Sequence, residues 1–238
     1  MADDNKPLKY MRYAIGEIVL VVIGILIALQ INSWNNNRIE KNSITNYYER
    51  IISELDKEIR RVEIQKVKID SLIIKNRRAL KIIDSKNTDS IHVLNNLMGA
   101  TATTWEVNYD FPITKEFLNH GYLSKIKNDS LKMMFVDLAG FFDRVKGTAE
   151  YNSAQYVNTI EPFFIKNINY SQAALALYKK KLINGGPPTN YEALFSNLEL
   201  WNVVTFKLEL LNYESDVIGY AIRFFKGIRE RLLKELEH

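Results

Sequence analysis

Hydrophobic and polar positions follow two different rules along this chain. Residues 14–31 read AIGEIVLVVIGILIALQI, an apolar run whose only strongly polar members are Glu17 and Gln30. As a helix such a run covers about 27 Å, close to the hydrocarbon thickness of a bilayer. Tyr13 and Trp34 flank it as interfacial aromatics. In lipid the peptide groups must be satisfied within the segment, so a single span is helical despite its β-branched residues. Beyond it, apolar positions become periodic. Residues 38–86 hold no Pro or Gly, and Ile44, Tyr48, Ile51, Leu55, Ile59, Val62, Ile69, Leu72, Leu80 and Ile83 recur at spacings of three, four and seven. This pattern predicts a long amphipathic helix.

Residues 84–112 read as irregular, with Asp84, Ser85, Asn87 and Asp89 as punctuation, a short helix at 91–98 and a small, polar stretch at 99–104. An aromatic loop over 105–112 follows. Thr114 is the expected cap of a short helix ending at Gly121. Asn128, Asp129 and Ser130 open a longer helix with Leu131, Met134, Phe135, Leu138, Phe141, Phe142 and Val145 on one stripe, running to Pro162, where it should break or kink. A short helix is expected over 171–183, with Lys179, Lys180 and Lys181 near its C-terminus, as the helix dipole prefers. Gly185, Gly186, Pro187 and Pro188 form the clearest break. A last helix over 196–236 carries Leu198, Trp201, Thr205, Leu208, Leu211, Ser215, Ile218, Ile222, Phe225, Ile228 and Leu232 as its stripe.

No segment alternates as a strand does. The predicted class is all-α: one N-terminal transmembrane helix followed by an elongated antiparallel helical bundle, in which the two long helices and the 131–159 helix cover one another's stripes. The expected organisation is a short cytoplasmic tail at 1–12, the transmembrane helix at 13–34 and an extracytoplasmic bundle domain at 35–238. A cleaved signal peptide is the competing reading of the N-terminus. The apolar run exceeds a typical h-region and no small-x-small cleavage site follows it. Basic residues nearly tie across the span, with Lys6, Lys9 and Arg12 before it and Arg38, Lys41 and Arg50 after it. Long downstream domains translocate largely regardless of charge, so the short basic tail sets the N-terminus in the cytoplasm.

The string GEIVLVVIGILIALQINSWN at 16–35 resembles the N-terminal signature of a family of uncharacterised single-span bacterial membrane proteins, abundant in flavobacteria. A second resemblance runs through Phe117, Leu118, Gly121, Leu123, Ile126, Asn128 and Leu131, where the family carries F-x-x-L-x-x-x-G-x-L-x-x-I-x-N-x-x-L; here the spacing between Phe117 and Gly121 departs from it. The resemblance implies a span followed by a helical domain of about this length, in a bacterial inner membrane, and brings no activity with it.

Composition narrows the chemistry. The 238 residues include no cysteine, which excludes disulfides, thiolate metal sites and cysteine nucleophiles. The net charge is +4, and removing residues 1–31 takes away three charges of each sign, so the excess belongs to the bundle and is too diffuse for a nucleic-acid partner. Lys57, Arg60, Arg61, Lys66, Lys68, Arg77 and Arg78 read as a solvated helix face, partly balanced by Glu54, Asp56, Glu58 and Glu63. The three histidines make no HExxH or Glu-x-x-His pair, and there is no GxSxG, P-loop or GxGxxG. No catalytic residue, cofactor or metal is expected.

The candidate contact residues fall into two groups. Gly24 and Ala28 form a small-xxx-small pair and Glu17 projects from a similar face, which makes a weak seam for self-association through the span. The bland reading of Glu17 is a carboxylate near the headgroups. Trp105, Tyr109, Asp110 and His120 are the candidate ligand or partner surface, although aromatics in such a loop more often plug a bundle, and His120 before Gly121 fits a helix C-cap. The expected function is a membrane-anchored interaction or scaffolding component of the bacterial envelope, partnering the bilayer, a second copy or an envelope protein. The alternative is an extracytoplasmic ligand-sensing domain acting through a partner.

Overall fold

The computed structural model describes residues 6–104 and 107–237, and its regular structure is helical, with no strand among them. Its contacts divide the chain into two compact units, Met1–Arg50 and Ile51–His238, with the boundary inside the first helix, α1 (Lys6–Ser85).

In the first unit the apolar run is helical, as its composition requires. Among the described residues one helix is long and apolar enough to cross a membrane; its most apolar 18-residue window has a mean hydropathy of 2.6 and none of it is buried. The helix does not stop at the polar step of Asn35, Asn36 and Asn37. There Arg38 lies over the Trp34 ring at 5.2 Å and donates to Asn35 Oδ1 at 3.3 Å.

The second unit is a bundle of three long helices: the part of α1 from Ile51 onward, α4 (Asp129–Gln155) and α9 (Leu198–Leu236). Paired side chains set the register of α1 against α9. Arg229 donates to Asp56 at 2.5 Å, Lys226 to Glu63 at 2.7 Å, Ser215 to Asp70 at 2.7 Å and Arg77 to Asn212 at 3.0 Å. Positions rise on one helix as they fall on the other, so the two are antiparallel. Asn128 donates to Glu235 at 2.6 Å and Arg231 to Ser130 at 2.9 Å, which makes α4 antiparallel to α9 as well. Helices α1 and α4 therefore run the same way, and the chain must return between them.

The return is made by α2 (Ile91–Thr101), the segment through 107–111, and α3 (Pro112–Asn119). It descends α1 stepwise. The Thr101 hydroxyl donates to the buried Asn76 at 2.7 Å, the Asp110 N–H to Glu58 at 3.4 Å, and the Thr114 N–H to Glu54 at 3.0 Å. The stripe read on α1 is buried at Ile51, Leu55, Ile59, Val62, Ile69, Leu72 and Ile83, and that on α4 at Leu131, Phe135, Leu138 and Phe141.

Several local expectations are corrected. Thr114 does not cap α3. Phe111 holds the N-cap position without a side-chain bond, and Thr114 lies inside the first turn. The open N–H groups are taken by Glu54 from α1, which accepts from Ile113 at 2.7 Å, Thr114 N–H at 3.0 Å and the Thr114 hydroxyl at 2.6 Å. At the other end the C-cap is His120, with Gly121 at φ +74°, as its sequence suggests. Pro162 neither breaks nor sharply ends the helical path. A π-helical turn at Tyr156–Ile160 precedes α5 (Glu161–Asn167), with the Glu161 N–H bonded to Tyr156 O. The wider turn absorbs the donor that proline lacks. The helix expected at 171–183 is two single turns, α6 (Tyr170–Ala173) and α7 (Ala176–Lys179), separated by extended Ala174 and Leu175, and one more turn, α8 (Tyr191–Leu194), precedes α9. That extended backbone lies against Gly99, which is helical and buried within α2 rather than part of a loop.

On α9 the stripe read from sequence is right from Leu211 onward but one position out before it. Leu198 and Trp201 are exposed, whereas Leu200, Val203, Val204 and Lys207 are buried. Leu200, Val203 and Val204 join a core with Ile82 and Ile83 of α1, Leu94 and Met98 of α2, and Phe163 and Phe164 of α5. The acidic partners thought to balance a solvated basic face are likewise turned to other tasks. Glu54 and Glu58 are buried, and Asp56 and Glu63 pair with α9.

Candidate functional site

The side chains of 107–111 thread between the long helices. Tyr109 meets Phe141 edge-on at 5.0 Å and Phe225 at 5.7 Å, and Phe111 meets Phe225 at 5.0 Å and Phe142 at 5.2 Å. Three of these contacts are edge-to-face and the Phe111–Phe142 pair is tilted, and together they fix the two rings by shape and quadrupole. The packing reading of this loop thus holds for Tyr109 and Phe111. Tyr109 has a second face, because it also lines a cavity.

The cavity measures about 80 Å³ and is lined by Val107 and Tyr109 from the return segment, one stripe of α4 and one stripe of α9. From α4 come Val145, Thr148, Ala149 and Asn152, and from α9 Lys207, Leu211, Glu214 and Ile218. Both sets recur at three- and four-residue spacing, so each is the face its helix turns inward. Most of the wall is apolar, and the polar groups stand out against it. Lys207 is only 5% exposed. Burial pulls its ammonium down to about 8, while Glu214 two turns along the same helix pulls the other way. The Tyr109 hydroxyl is pushed well above the ordinary phenol range, chiefly by burial and then by Glu214, with Arg61 opposing. The Tyr109 hydroxyl and Asn152 Oδ1 are both buried without a hydrogen-bond partner. A buried polar atom in this state costs about 1–3 kcal/mol relative to a satisfied one.

The other residues singled out from sequence fall elsewhere. Trp105 lies outside the described residues. Asp110 is exposed and bonds to Glu58 through its backbone N–H. His120 is exposed, with Nδ1 at 2.8 Å from Glu116 O and its ring stacked on Tyr122 at 6.0 Å. Neither Asp110 nor His120 lines the Tyr109 cavity. In the first unit Glu17, Gly24 and Ala28 are exposed, and a Cβ at Gly24 would meet nothing within 4 Å. Among the described residues no group of three or more His, Asp or Glu side chains is placed to hold a metal ion.

Lys207, Asn152 and Glu214 were not legible as site residues. A signal existed for Lys207: with the α9 stripe in its true register, a lysine stands between Val204 and Leu211 at a core position. That anomaly is visible only once the register is known.

The buried lysine has a measurable consequence. Its folded-state pKa lies below the ordinary 10.5, so from about pH 8 to 10.5 the unfolded chain holds a proton that the folded chain releases. Stability therefore rises with pH in that window. The groups facing Lys207 are Glu214 on its own helix, Tyr109 from the return segment and Tyr156 after α4; burial pushes both tyrosines upward. Urea unfolding of the full chain in detergent between about pH 7.5 and 9.5, below the ionisation of unfolded tyrosine, should show an increase of about 1–2 kcal/mol that Lys207→Met abolishes. An unchanged slope in the variant would contradict the assignment.

No protein-family model, no curated protein and no solved structure matches the chain.

Proposed function

We propose that the protein is a single-span component of a bacterial inner membrane, its N-terminus cytoplasmic and its helical bundle outside the cytoplasm, serving interaction or scaffolding and not catalysis. The observation that carries this reading is the apolar window of α1, with a mean hydropathy of 2.6 and no part of it buried. Fully exposed apolar surface of this length is costly in water and stable in lipid. The resemblance of residues 16–35 to single-span bacterial proteins supports the same reading. Partners proposed on these grounds are the bilayer, a second copy through the face of Glu17, Gly24 and Ala28, and an envelope protein. In a bacterial host, the chain should sediment with membranes, resist carbonate and dissolve in detergent, and an alkaline phosphatase reporter after His238 should be active. A carbonate-soluble chain would overturn the anchor, and an inactive reporter at normal abundance would overturn the orientation.

A second reading, a ligand-sensing domain that acts through a partner, is supported by the cavity at Tyr109, Asn152 and Lys207 with its two unpartnered polar atoms. Sensing would be read as a change in the set of neighbours cross-linked in intact membranes when the cavity is filled.

A further inference from the structure

We propose that the cavity bounded by Tyr109, Asn152, Lys207 and Glu214 is a binding site for a small neutral molecule whose head both accepts and donates a hydrogen bond, with a primary carboxamide as the best-matched class. This deepens the ligand-sensing reading and takes its biological use from it.

Size comes first. An apolar cavity of about 150 Å³ is known to admit benzene, so one of about 80 Å³ has room for about three or four non-hydrogen atoms by the same measure. Polarity comes next. The Tyr109 hydroxyl and Asn152 Oδ1 are both buried and both lack a partner, so a purely apolar guest would leave their desolvation uncompensated. Tyr109 has a proton to donate, since burial and nearby carboxylates keep the phenol protonated. Asn152 Oδ1 needs a proton to accept. A carboxamide carries a carbonyl oxygen for the first and an N–H for the second on one planar group. Val107, Val145, Ala149, Leu211 and Ile218 offer an apolar wall to a short alkyl tail.

Charge decides against ionic guests. The cavity already holds a charge of each sign: Lys207 and Glu214 line it from positions seven residues apart on α9, and Arg61, which also acts on Tyr109, is paired with Glu58. A carboxylate guest drawn to Lys207 is repelled by Glu214, and a cationic guest drawn to Glu214 is repelled by Lys207. Either ion is also desolvated on entry.

Three isosteric probes of four non-hydrogen atoms separate these possibilities: acetamide, acetate and acetamidinium, titrated into the methyl-labelled full chain in detergent micelles. Acetamide should shift the methyl resonances of Leu211 and Ile218 saturably, at millimolar concentration, with the two ions at least about tenfold weaker, about 1.4 kcal/mol. Tyr109→Phe keeps the ring contacts with Phe141 and Phe225 and removes only the donor, so it should weaken acetamide about fivefold or more while the aromatic-cluster resonances stay in place. Asn152→Leu removes the acceptor and fills the space, and should abolish the shifts. Absence of saturable shifts up to about 100 mM, meaning a cavity that holds water alone, overturns the proposal, as does tighter binding of either ion or equal response to all three. The sensing reading fails separately: saturable acetamide binding with an unchanged set of cross-linked neighbours leaves the site standing and removes the sensor.

Discussion

Replacing Glu54 by alanine should lower the unfolding free energy by about 3–5 kcal/mol, whereas Glu54→Gln should lose about 1–3 kcal/mol. The difference follows from what the carboxylate does. Glu54 accepts three hydrogen bonds from the start of α3, two from backbone N–H groups and one from a buried hydroxyl. An alanine leaves these donors with no partner beside Pro112, where the helix can supply none. Burial raises the Glu54 carboxyl above its ordinary pKa in spite of the three hydrogen bonds, and the nearby Asp110 carboxylate raises it further. A glutamine keeps one acceptor oxygen for the two Thr114 donors that share Oε2, but its NH2 then stands where Oε1 accepts from the Ile113 N–H, so one donor is left unpaired. Thermal unfolding of the full chain in detergent checks this: for a chain of this size the alanine variant should melt about 10–15 °C lower. A drop of under about 3 °C would mean that water or a rearranged loop replaces the cap.

Gly99→Ala is expected to destabilise by about 2–4 kcal/mol, the reverse of what the same change does at Gly147. A Cβ at Gly99 would sit 2.6 Å from Leu175 N and 2.8 Å from the Ala174 carbonyl carbon, and closer still to Ala173 O. All three are backbone atoms, so no rotamer change relieves the overlap. The facing segment cannot easily retreat, since Asn95 of α2 donates to Gln172 O at 3.2 Å and receives the Tyr191 hydroxyl at 2.9 Å. At Gly147, on exposed α4, nothing lies within 4 Å of a new Cβ. Gly147→Ala should therefore add up to about 1 kcal/mol through helix propensity alone. Denaturant unfolding of both variants beside the parent gives the comparison. Equal or greater stability of Gly99→Ala would refute the close approach.

The same two residues mark the limit of what patterning conveys. The 99–104 stretch was readable as small and polar, and the helical, buried state of its first three residues was not, because the cause lies in a backbone more than seventy positions away. Glu54 looked like a counter-charge on a wet face, since an α-helix stripe read from one chain segment does not say what crosses it. The error on α9 has a similar origin. A long helix with apolar residues on more than one flank offers neighbouring registers, and contact with α2 and α5 selects Leu200, Val203 and Val204 over Leu198 and Trp201. With that register came Lys207, and with Lys207 the cavity.

Local chemistry was enough to specify the apolar helix at the N-terminus, the amphipathic stripes of the long helices, the Asn128 N-cap that accepts from Leu131 at 3.1 Å, the turn at Gly121 and the break at Gly185–Pro188. Each is a short-range effect: hydrophobic transfer, helical periodicity, or a backbone conformation that few residues adopt. The antiparallel register, the Glu54 cap, the π turn ahead of Pro162 and the grouping of Tyr109 with Asn152 and Lys207 depend on packing among segments far apart in the chain. Burial converts a charge, an amide or a missing Cβ from an indifferent surface feature into a costly or necessary one, and burial is settled only when the helices meet.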